Sequence, residues 1–396
     1  MSYNNRSYEL GSKRSVIREL FEYGKKRKAE IGADKVFDFS LGNPSVKPPK
    51  IVDDTLKELL ANTDAMALHG YTSAQGDLAT RTAVAKSLDK LCDFSVSPNL
   101  IYMTCGAAAS LTVSLKALVN DGDECVVFAP FFTEYTVFIT NAGAKVVIST
   151  PNEENFQIDF DDLERKLTKN TKAVIINSPN NPSGVVYTEE TIKKLSKILT
   201  DKSKEFGNTI YLISDEPYRE LVYSGAKIPF VMNYYDNSIV CYSYSKSLSL
   251  PGERIGYIAV SPKMENSDKI YNAVCGAGRS LGFVCAPSLF QKLIAKCADI
   301  AVDTTQYKEN RDILYNNLSS YGFKCVKPDG AFYLLCNCFG DDANVFCEKA
   351  KKYELLLVPC DDFGIKGYVR IAYCVSKETI VNSLPAFKKL AEEYGK

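Results

Sequence analysis

The chain has 396 residues, of which 45% are hydrophobic and 24% are charged, and its formal net charge is zero. This length exceeds one ordinary domain, so two lobes, or one large α/β domain with a smaller companion, are expected. The neutral charge balance argues against nucleic acid and against a membrane surface as partners. Residues 1–9 are too polar for a signal peptide, and no apolar run approaches the ~18 residues of a membrane span.

The cysteines and the histidine content bear on metal sites and on the compartment. The thirteen cysteines are an odd number and lie mostly in apolar runs, and His69 is the single histidine. Cys336 and Cys338 do not have metal-finger spacing, so no metal site is expected. We interpret the cysteines as reduced core residues of a cytoplasmic protein.

The first hundred residues are expected to form a polar arm, several helices and one short strand. The apolar spacing predicts helices over 16–28, 49–60 and 78–91 and a strand over 36–41. The strand ends at Gly42 in a turn that brings bare backbone close to another group. Tyr71 lies in the loop over 69–76.

From residue 100 onward, strands alternate with helices, a pattern that indicates a mainly parallel sheet. Gly106, Ala107 and Ala108 follow the first of these strands and open a helix that runs to Leu118, where free N–H groups suit a phosphate. The predicted strands cover 101–104, 125–129, 145–149, 173–177, 209–214, 239–242 and 256–260, and a further helix covers 189–204.

Polar side chains follow three successive strands of this sheet. Asn181 comes after one buried strand, Asp215 after the next, and Ser243 and Lys246 after a third. The carboxyl ends of parallel strands share one edge, which is where open α/β sheets bind ligands. These residues are therefore candidates for one site.

The segment over residues 243–256 combines Lys246 with Arg254. A lysine amine forms Schiff bases with carbonyls, including the aldehyde of pyridoxal phosphate. An arginine together with hydroxyls and backbone N–H groups binds a phosphate. Taken alone, the segment fits equally well a strand end with an exposed lysine and a structural ion pair.

After Pro287 the pattern changes to that of a smaller α+β domain. We expect a long helical stretch over 288–321, strands over 323–327, 331–335, 355–358 and 368–373, and a closing helix over 376–394. The predicted organisation is an N-terminal arm with part of the small domain over 1–45, a large cofactor-binding domain over 46–287 and the small C-terminal domain over 288–396.

Together these features resemble the class I/II pyridoxal-phosphate-dependent aminotransferases of fold type I, over roughly residues 37–388. The resemblance implies a mainly parallel seven-stranded sheet in the large domain plus the smaller α+β domain. The family's motifs appear as the loop over 180–184 with Asn181, the pair Asp215 and Tyr218, the set Ser243, Lys246 and Arg254, and the late arginine Arg370.

The resemblance assigns roles toward pyridoxal 5'-phosphate. Lys246 would hold the cofactor covalently and then act as general base and acid. Asp215 would keep the pyridine nitrogen protonated. Asn181 and Tyr218 would bind the phenolic oxygen, and Phe132 would stack on the ring.

The phosphate and the substrate would be held by further residues. Ser243, Arg254 and the N–H groups of Ala107 and Ala108 would bind the phosphate, and Tyr71 would reach it from the partner subunit of a homodimer with shared active sites. Arg370 would grip the substrate α-carboxylate, assisted by the Gly42 backbone and the Asn181 amide.

Three classes of function share this fold. The first is transfer of the amino group of an L-amino acid, aspartate, glutamate or aromatic, to a 2-oxo acid by a ping-pong mechanism. The second is β-elimination, as in a carbon–sulfur lyase. The third, a non-catalytic binding or regulatory protein, is disfavoured because Lys246, Asp215, Tyr218, Arg254 and Arg370 are all present.

Two features bear on the side chain of the substrate. Arg279 lies 33 residues after Lys246, near where dicarboxylate-specific relatives place a second arginine from the partner subunit, and it is otherwise a surface or interface residue. Asp361 and Asp362 stand near the expected mouth of the site, where they would disfavour acidic side chains.

The phosphate turn over 105–108 lacks the side-chain hydroxyl often found there.

Overall fold

The computed structural model describes residues 3–12, 16–223 and 225–396. None of its helices in these ranges combines the length and the apolar run that a bilayer crossing needs. The helices of the described residues are α1 (Asn5–Ser12), α2 (Val16–Ile31), α3 (Lys50–Asn62), α4 (Ala65–His69), α5 (Leu78–Asp89), α6 (Ala107–Leu118), α7 (Glu134–Ala142), α8 (Phe160–Lys166), α9 (Glu189–Phe206), α10 (Tyr244–Ser247), α11 (Ser267–Leu281), α12 (Ser288–Cys297), α13 (Thr305–Ser320), α14 (Ala343–Lys351) and α15 (Lys377–Glu392).

The strands form three sheets. They are β1 (Phe37–Asp38), β2 (Ile101–Thr104), β3 (Glu124–Phe128), β4 (Lys145–Ser149), β5 (Thr171–Asn177), β6 (Tyr211–Asp215), β7 (Ser238–Ser243), β8 (Gly256–Val260), β9 (Cys325–Val326), β10 (Tyr333–Asn337), β11 (Leu355–Leu356), β12 (Val358–Pro359) and β13 (Tyr368–Ala372).

The largest sheet has seven strands in the order β2-β8-β7-β6-β5-β3-β4. Only β8 runs antiparallel to its neighbours, so the sheet is mainly parallel, as the sequence predicts. Its central strands β5, β6 and β7 are buried along almost their whole length, because helices cover both faces. In β5, for example, Val174 and Ile176 pack into the core on one face, while Ala173 and Ile175 pack into the core on the other.

The two smaller sheets contain strands from both ends of the chain. β12, β13, β10 and β9 form an antiparallel sheet of four strands, and β1 pairs in parallel with β11. The predicted domain boundaries stay predictions. Helix α12 follows the predicted boundary at residue 287, yet Leu293 and Ile294 pack into the core of the large sheet, so the change of core lies nearer residue 300.

Some elements differ from the predictions. The helical stretch expected over 288–321 is two helices, because the chain between them docks on α10, where the Val302 N–H donates to the Ser247 carbonyl at 2.7 Å. Such a contact between distant segments leaves no local pattern. The strand expected over 36–41 is confined to β1, the strand expected over 331–335 lies at 333–337, and part of the polar arm is helix α1.

A tight turn at Gly184 joins the large sheet to the small domain. Its carbonyl accepts hydrogen bonds from the N–H groups of Asp329 and Gly330, both at 3.0 Å. Gly184 has φ of 72°, and a Cβ there would stand 2.5 Å from Pro328 Cβ and 2.8 Å from the Tyr333 carbonyl. Only glycine fits both the conformation and the space.

We therefore expect Gly184→Ala to lower the free energy of unfolding by about 3 kcal/mol, because it adds a steric clash to the left-handed backbone. Gly207→Ala is the matched control, since Gly207 has φ of 62° and a Cβ there would meet no atom within 4 Å, and it should cost only about 1 kcal/mol. Urea unfolding of the two variants measures the difference. Equal losses would show that the packing around Gly184 is irrelevant.

Candidate active site

The predicted site residues surround one cavity of about 380 Å³ at the carboxyl edge of the seven-stranded sheet. β5, β6 and β7 end side by side there, with Asn177 paired to Asp215 and Asp215 paired to Cys241. The lining includes, of the residues predicted from the sequence, Gly42, Ala107, Ala108, Phe132, Asn181, Asp215, Tyr218, Ser243, Lys246, Arg254 and Arg370.

Lys246 projects into this cavity from the short helix α10 that follows β7. The Ser243 side chain caps α10 by accepting from the Ser245 N–H. Lys246 Nζ donates to the Gly42 carbonyl at 2.8 Å and lies 5.4 Å from the centre of the Phe332 ring. Burial, with the nearby guanidinium groups of Arg254 and Arg370, lowers the pKa of Lys246 to about 8. Near neutral pH a larger fraction of this amine is therefore in the neutral, nucleophilic form than for an ordinary lysine.

Asp215 ends β6 and is 4% exposed. Its Oδ2 accepts from the Tyr135 hydroxyl at 2.6 Å, while its Oδ1 is buried with no hydrogen-bond partner among the described residues. Burial is the main cause that raises the pKa of Asp215 to about 7, and Glu216 raises it further, against the hydrogen bond from Tyr135. A buried carboxylate oxygen without a partner is costly, so the site has a vacant place for a hydrogen-bond donor or a cation.

One end of the cavity is built for an anion. Ala107 and Ala108 line it from the first turn of α6, where backbone N–H groups lack helical partners. Arg254 lies beside them, with Nη1 3.5 Å from Ser245 Oγ, and the Ser243 and Ser245 hydroxyls are 2.7 Å apart. Gly106 has φ of 88°, and a Cβ there would stand 2.9 Å from Arg254 Nη2. Glycine thus lets the guanidinium lie against the start of α6.

A second arginine, Arg370, closes the opposite side. It is 2% exposed and comes from β13. Its Nη1 donates to Asn181 Oδ1 at 3.1 Å and its Nη2 to the Ser40 carbonyl at 2.6 Å, while Nε is buried without a partner in the described ranges. Two other buried arginines of the described chain, Arg219 and Arg311, form salt bridges. Arg370 forms none with the described residues. A buried guanidinium left in this state is suited to a carboxylate ligand.

Aromatic residues complete the walls. The Tyr218 and Tyr333 hydroxyls are 3.1 Å apart, and the Arg370 guanidinium lies 4.7 Å from the Tyr333 ring centre. Burial raises the pKa of the Tyr218 phenol well above its usual value. Phe132 lines the cavity and meets Tyr135 edge to face, with 5.7 Å between ring centres. A side chain on Gly42 would collide with the Tyr333 hydroxyl.

Three predicted residues are not among the lining of this cavity: Gly106, which lies against Arg254 at the start of α6, Tyr71 and Arg279. Tyr71 is 99% exposed, and Arg279 is exposed near the end of α11. Tyr71 is expected to act from a partner subunit, whereas Arg279 is expected either to enter the site from a partner subunit or to be a surface or interface residue, and both roles stay predictions. The full exposure of a large aromatic side chain is consistent with a surface that another subunit covers.

Sequence reasoning missed several residues of the site. Tyr135 holds Asp215, and Ser40 holds Arg370 through its carbonyl. Asn177 accepts from the Asn181 N–H and donates to the Asp215 carbonyl, both at 2.8 Å. The position of Asn177 directly after the apolar run of β5 was the available signal, whereas nothing local marks Ser40.

Known proteins resemble this chain along almost its whole length. The family model described as aminotransferase class I and II matches residues 34–386. A probable aspartate aminotransferase of Methanocaldococcus jannaschii is 31% identical over 391 residues, covering 96% of this chain and 98% of the relative. The aspartate aminotransferase of Thermotoga maritima is 32% identical over 375 residues, covering 93% and 95%.

A solved structure, the crystal structure of an amino transferase from Eubacterium rectale, is 57% identical with a TM-score of 0.98 and covers 100% of both chains. The predicted fold class and the predicted aminotransferase activity are confirmed by these matches, and none of them supports the lyase alternative. The family match spans the seven-stranded sheet, Arg370 and every residue in the lining of the first cavity except Ile17. The chain belongs to the class I and II aminotransferase family.

Proposed function

We propose that this chain uses pyridoxal 5'-phosphate to move the amino group of an L-amino acid to a 2-oxo acid by a ping-pong mechanism. The observation that carries the proposal is the coincidence of three buried groups in one cavity. These are the amine of Lys246, the vacant Oδ1 of Asp215 and the guanidinium of Arg370, which has no carboxylate partner among the described residues.

The residues present fit this cofactor group by group. Arg254, Ser243 and the first N–H groups of α6 would hold its phosphate, since they form an anion-binding end. Asp215 Oδ1 would accept from its ring nitrogen. Phe132 would cover one face of the ring, and Tyr218 with Asn181 would bind its phenolic oxygen. When bound, pyridoxal phosphate supplies an aldehyde carbon that condenses with amines and a ring that withdraws electrons from the carbon bearing the amine.

Lys246 is the base and the acid of the proposed reaction. Because burial lowers its pKa to about 8, Nζ can take a proton from the substrate α-carbon as a base and then donate a proton as an acid without a large energetic cost near neutral pH. Gly42 orients the amine through its carbonyl. Asp215 keeps a proton at the ring nitrogen, because a buried carboxylate stabilises a positive charge brought next to it.

Arg370 binds and orients the amino acid through its α-carboxylate. The Asn181 and Ser40 oxygens fix the plane of the guanidinium, and Phe363 and Tyr333 pack near it. Fixing the carboxylate places the α-carbon relative to Lys246, which is the positioning that proton transfer requires. The buried walls exclude water from this transfer.

We further propose that the enzyme is a homodimer in the cytoplasm. Tyr71 is exposed on each chain and, from the partner subunit, would complete the phosphate site. All thirteen cysteines are free, as is usual in a reducing compartment. Arg279 is exposed on α11, where a partner subunit can also cover it.

Lys246→Ala should abolish both covalent cofactor binding and amine transfer, because no other amine lines the cavity in the described ranges. Borohydride reduction and mass spectrometry should locate the cofactor on Lys246 in the wild type. The rate of amine transfer from amino acids to 2-oxoglutarate should fall by ~10⁴-fold in the variant. Lys263→Ala, which removes an exposed lysine, is the control. Cofactor attached to another lysine would refute the proposal.

Tyr71 can be tested by mixing inactive subunits. A dimer of Lys246→Ala and Tyr71→Ala subunits contains one intact site if Tyr71 acts across the interface. Random mixing in equal amounts makes half of the dimers mixed, so the recovered activity should be about a quarter of wild type at limiting cofactor. If Tyr71 acted within its own chain, the mixture would show no more activity than the two variants measured separately.

Asp215 should make the cofactor-free protein less stable as pH rises. The unfolded carboxyl loses its proton near its ordinary pKa of 3.8, whereas the folded one keeps it up to about pH 7. The folded state thus binds more protons in this window, and stability falls as pH rises from about 4 to 7. We expect the melting temperature of Asp215→Asn, relative to wild type, to rise across this window and then level off. A constant difference would show that Asp215 ionises normally.

A further inference from the structure

One charged side chain of the cavity has no part in the proposed function. The charged residues among the described lining are Glu134, Asp215, Lys246, Arg254 and Arg370. The last four hold the cofactor, the proton or the α-carboxylate. Glu134 is half-buried, and its carboxylate has no hydrogen-bond or ion-pair partner among the described residues. A carboxylate that lines a substrate cavity without a counter-charge affects which charged side chains the cavity can bind.

The position of Glu134 is fixed from both sides along the chain. It is the first residue of α7, between Phe132 and Tyr135. The hydroxyl bond from Tyr135 to Asp215 and the edge-to-face contact between Phe132 and Tyr135 hold this turn against the end of β6. The backbone of Glu134 is therefore held at the cavity wall.

A second cavity of about 600 Å³ adjoins the first. Ile17, Thr133 and Glu134 line both, so they form the boundary between them. A substrate held by its α-carboxylate at Arg370, with its α-carbon toward Lys246, would share the first cavity with the Glu134 side chain. The remaining walls of the second cavity are largely apolar and include Leu10, Val16, Val137, Val358, Pro359 and Phe363.

The charges at this second cavity are mainly negative. Glu9, Glu134 and Asp362 line it, against the single guanidinium of Arg6 among the described lining residues. The N–H of Phe131 donates to the Phe363 carbonyl at 3.0 Å, which brings the turn with Asp362 next to α7. Arg6 and Glu9 both lie on α1, which buries no residue, so solvent screens both of these charges and leaves Glu134 as the half-buried one.

We propose that Glu134 selects substrates by the charge of their side chains. The enzyme then acts on 2-amino acids whose side chains are uncharged or cationic. The inference rests on the proposed function and names the substrate class of the same site. A side-chain carboxylate beside Glu134 would meet a like charge, and none of the described residues that line both cavities carries a positive charge. The apolar walls accept long or aromatic side chains, and Glu134 favours a terminal donor. Several similar proteins are named aspartate aminotransferases, after a substrate with an acidic side chain. The preference proposed for this chain is different.

The test compares substrates that differ only in charge. For the wild type we expect kcat/KM to be higher for glutamine than for glutamate and higher for asparagine than for aspartate. Removing one partly buried charge at Glu134→Gln should raise the ratio of kcat/KM for glutamate to that for glutamine by ~10-fold. A purely structural role in the first turn of α7 would instead lower both values equally.

Glu378→Gln is the matched control. Glu378 is also in the first turn of a helix, α15, is exposed, and lines neither cavity. It should leave both ratios unchanged. A wild type that prefers glutamate or aspartate, or an equal change for both members of a pair in Glu134→Gln, would overturn the inference.

A binding measurement separates this inference from the proposed function. The dissociation constants of succinate and butyrate, measured by calorimetry on the cofactor-loaded protein, require no turnover. Glu134→Gln should tighten succinate by ~10-fold relative to butyrate. If no amino acid transfers its amine, the proposed function fails, and the succinate-to-butyrate ratio still decides the role of Glu134. An unchanged ratio would overturn that role.

Discussion

The architecture depends on keeping charged groups buried without opposite charges beside them. Arg370 is 2% exposed and Asp215 is 4% exposed, and each has a polar atom without a partner among the described residues. Burying such a group costs several kcal/mol (~3 or more) in typical proteins. The fold maintains this state by anchoring Arg370 to two separate segments, Asn181 after β5 and Ser40 after β1.

This arrangement explains why a strand from the N-terminal part of the chain pairs with one from the C-terminal part. β1 from the N-terminal part pairs with β11 from the C-terminal part, and the segment after β1 supplies the carbonyls of Ser40 and Gly42. One of these carbonyls accepts from Arg370 and the other from Lys246. The small domain and the large sheet therefore share the cavity, and neither forms it alone.

Much of the fold and of the cavity follows from sequence patterns of short range. The apolar runs of β5, β6 and β7 place Asn181, Asp215 and Ser243 at one edge, because parallel strands end on the same side. These residues remain at the same edge even when the predicted strand boundaries are wrong by a few residues. The break between α12 and α13, the Ser40 contact and the role of Tyr135 depend on contacts between distant segments, so no local pattern reveals them. The surroundings of Tyr71 and Arg279 depend on surfaces outside a single chain.

The unpartnered Oδ1 of Asp215 has a consequence for the stability of the protein before any ligand binds in the cavity. A ligand that binds only the folded chain stabilises it by mass action, in proportion to the logarithm of its free concentration. A newly made chain with a buried, unsatisfied carboxylate is therefore at its least stable when the ligand is scarce. In a cell, the amount of this enzyme that escapes proteolysis will follow the supply of that ligand, so abundance and catalytic capacity fall together when the supply runs low.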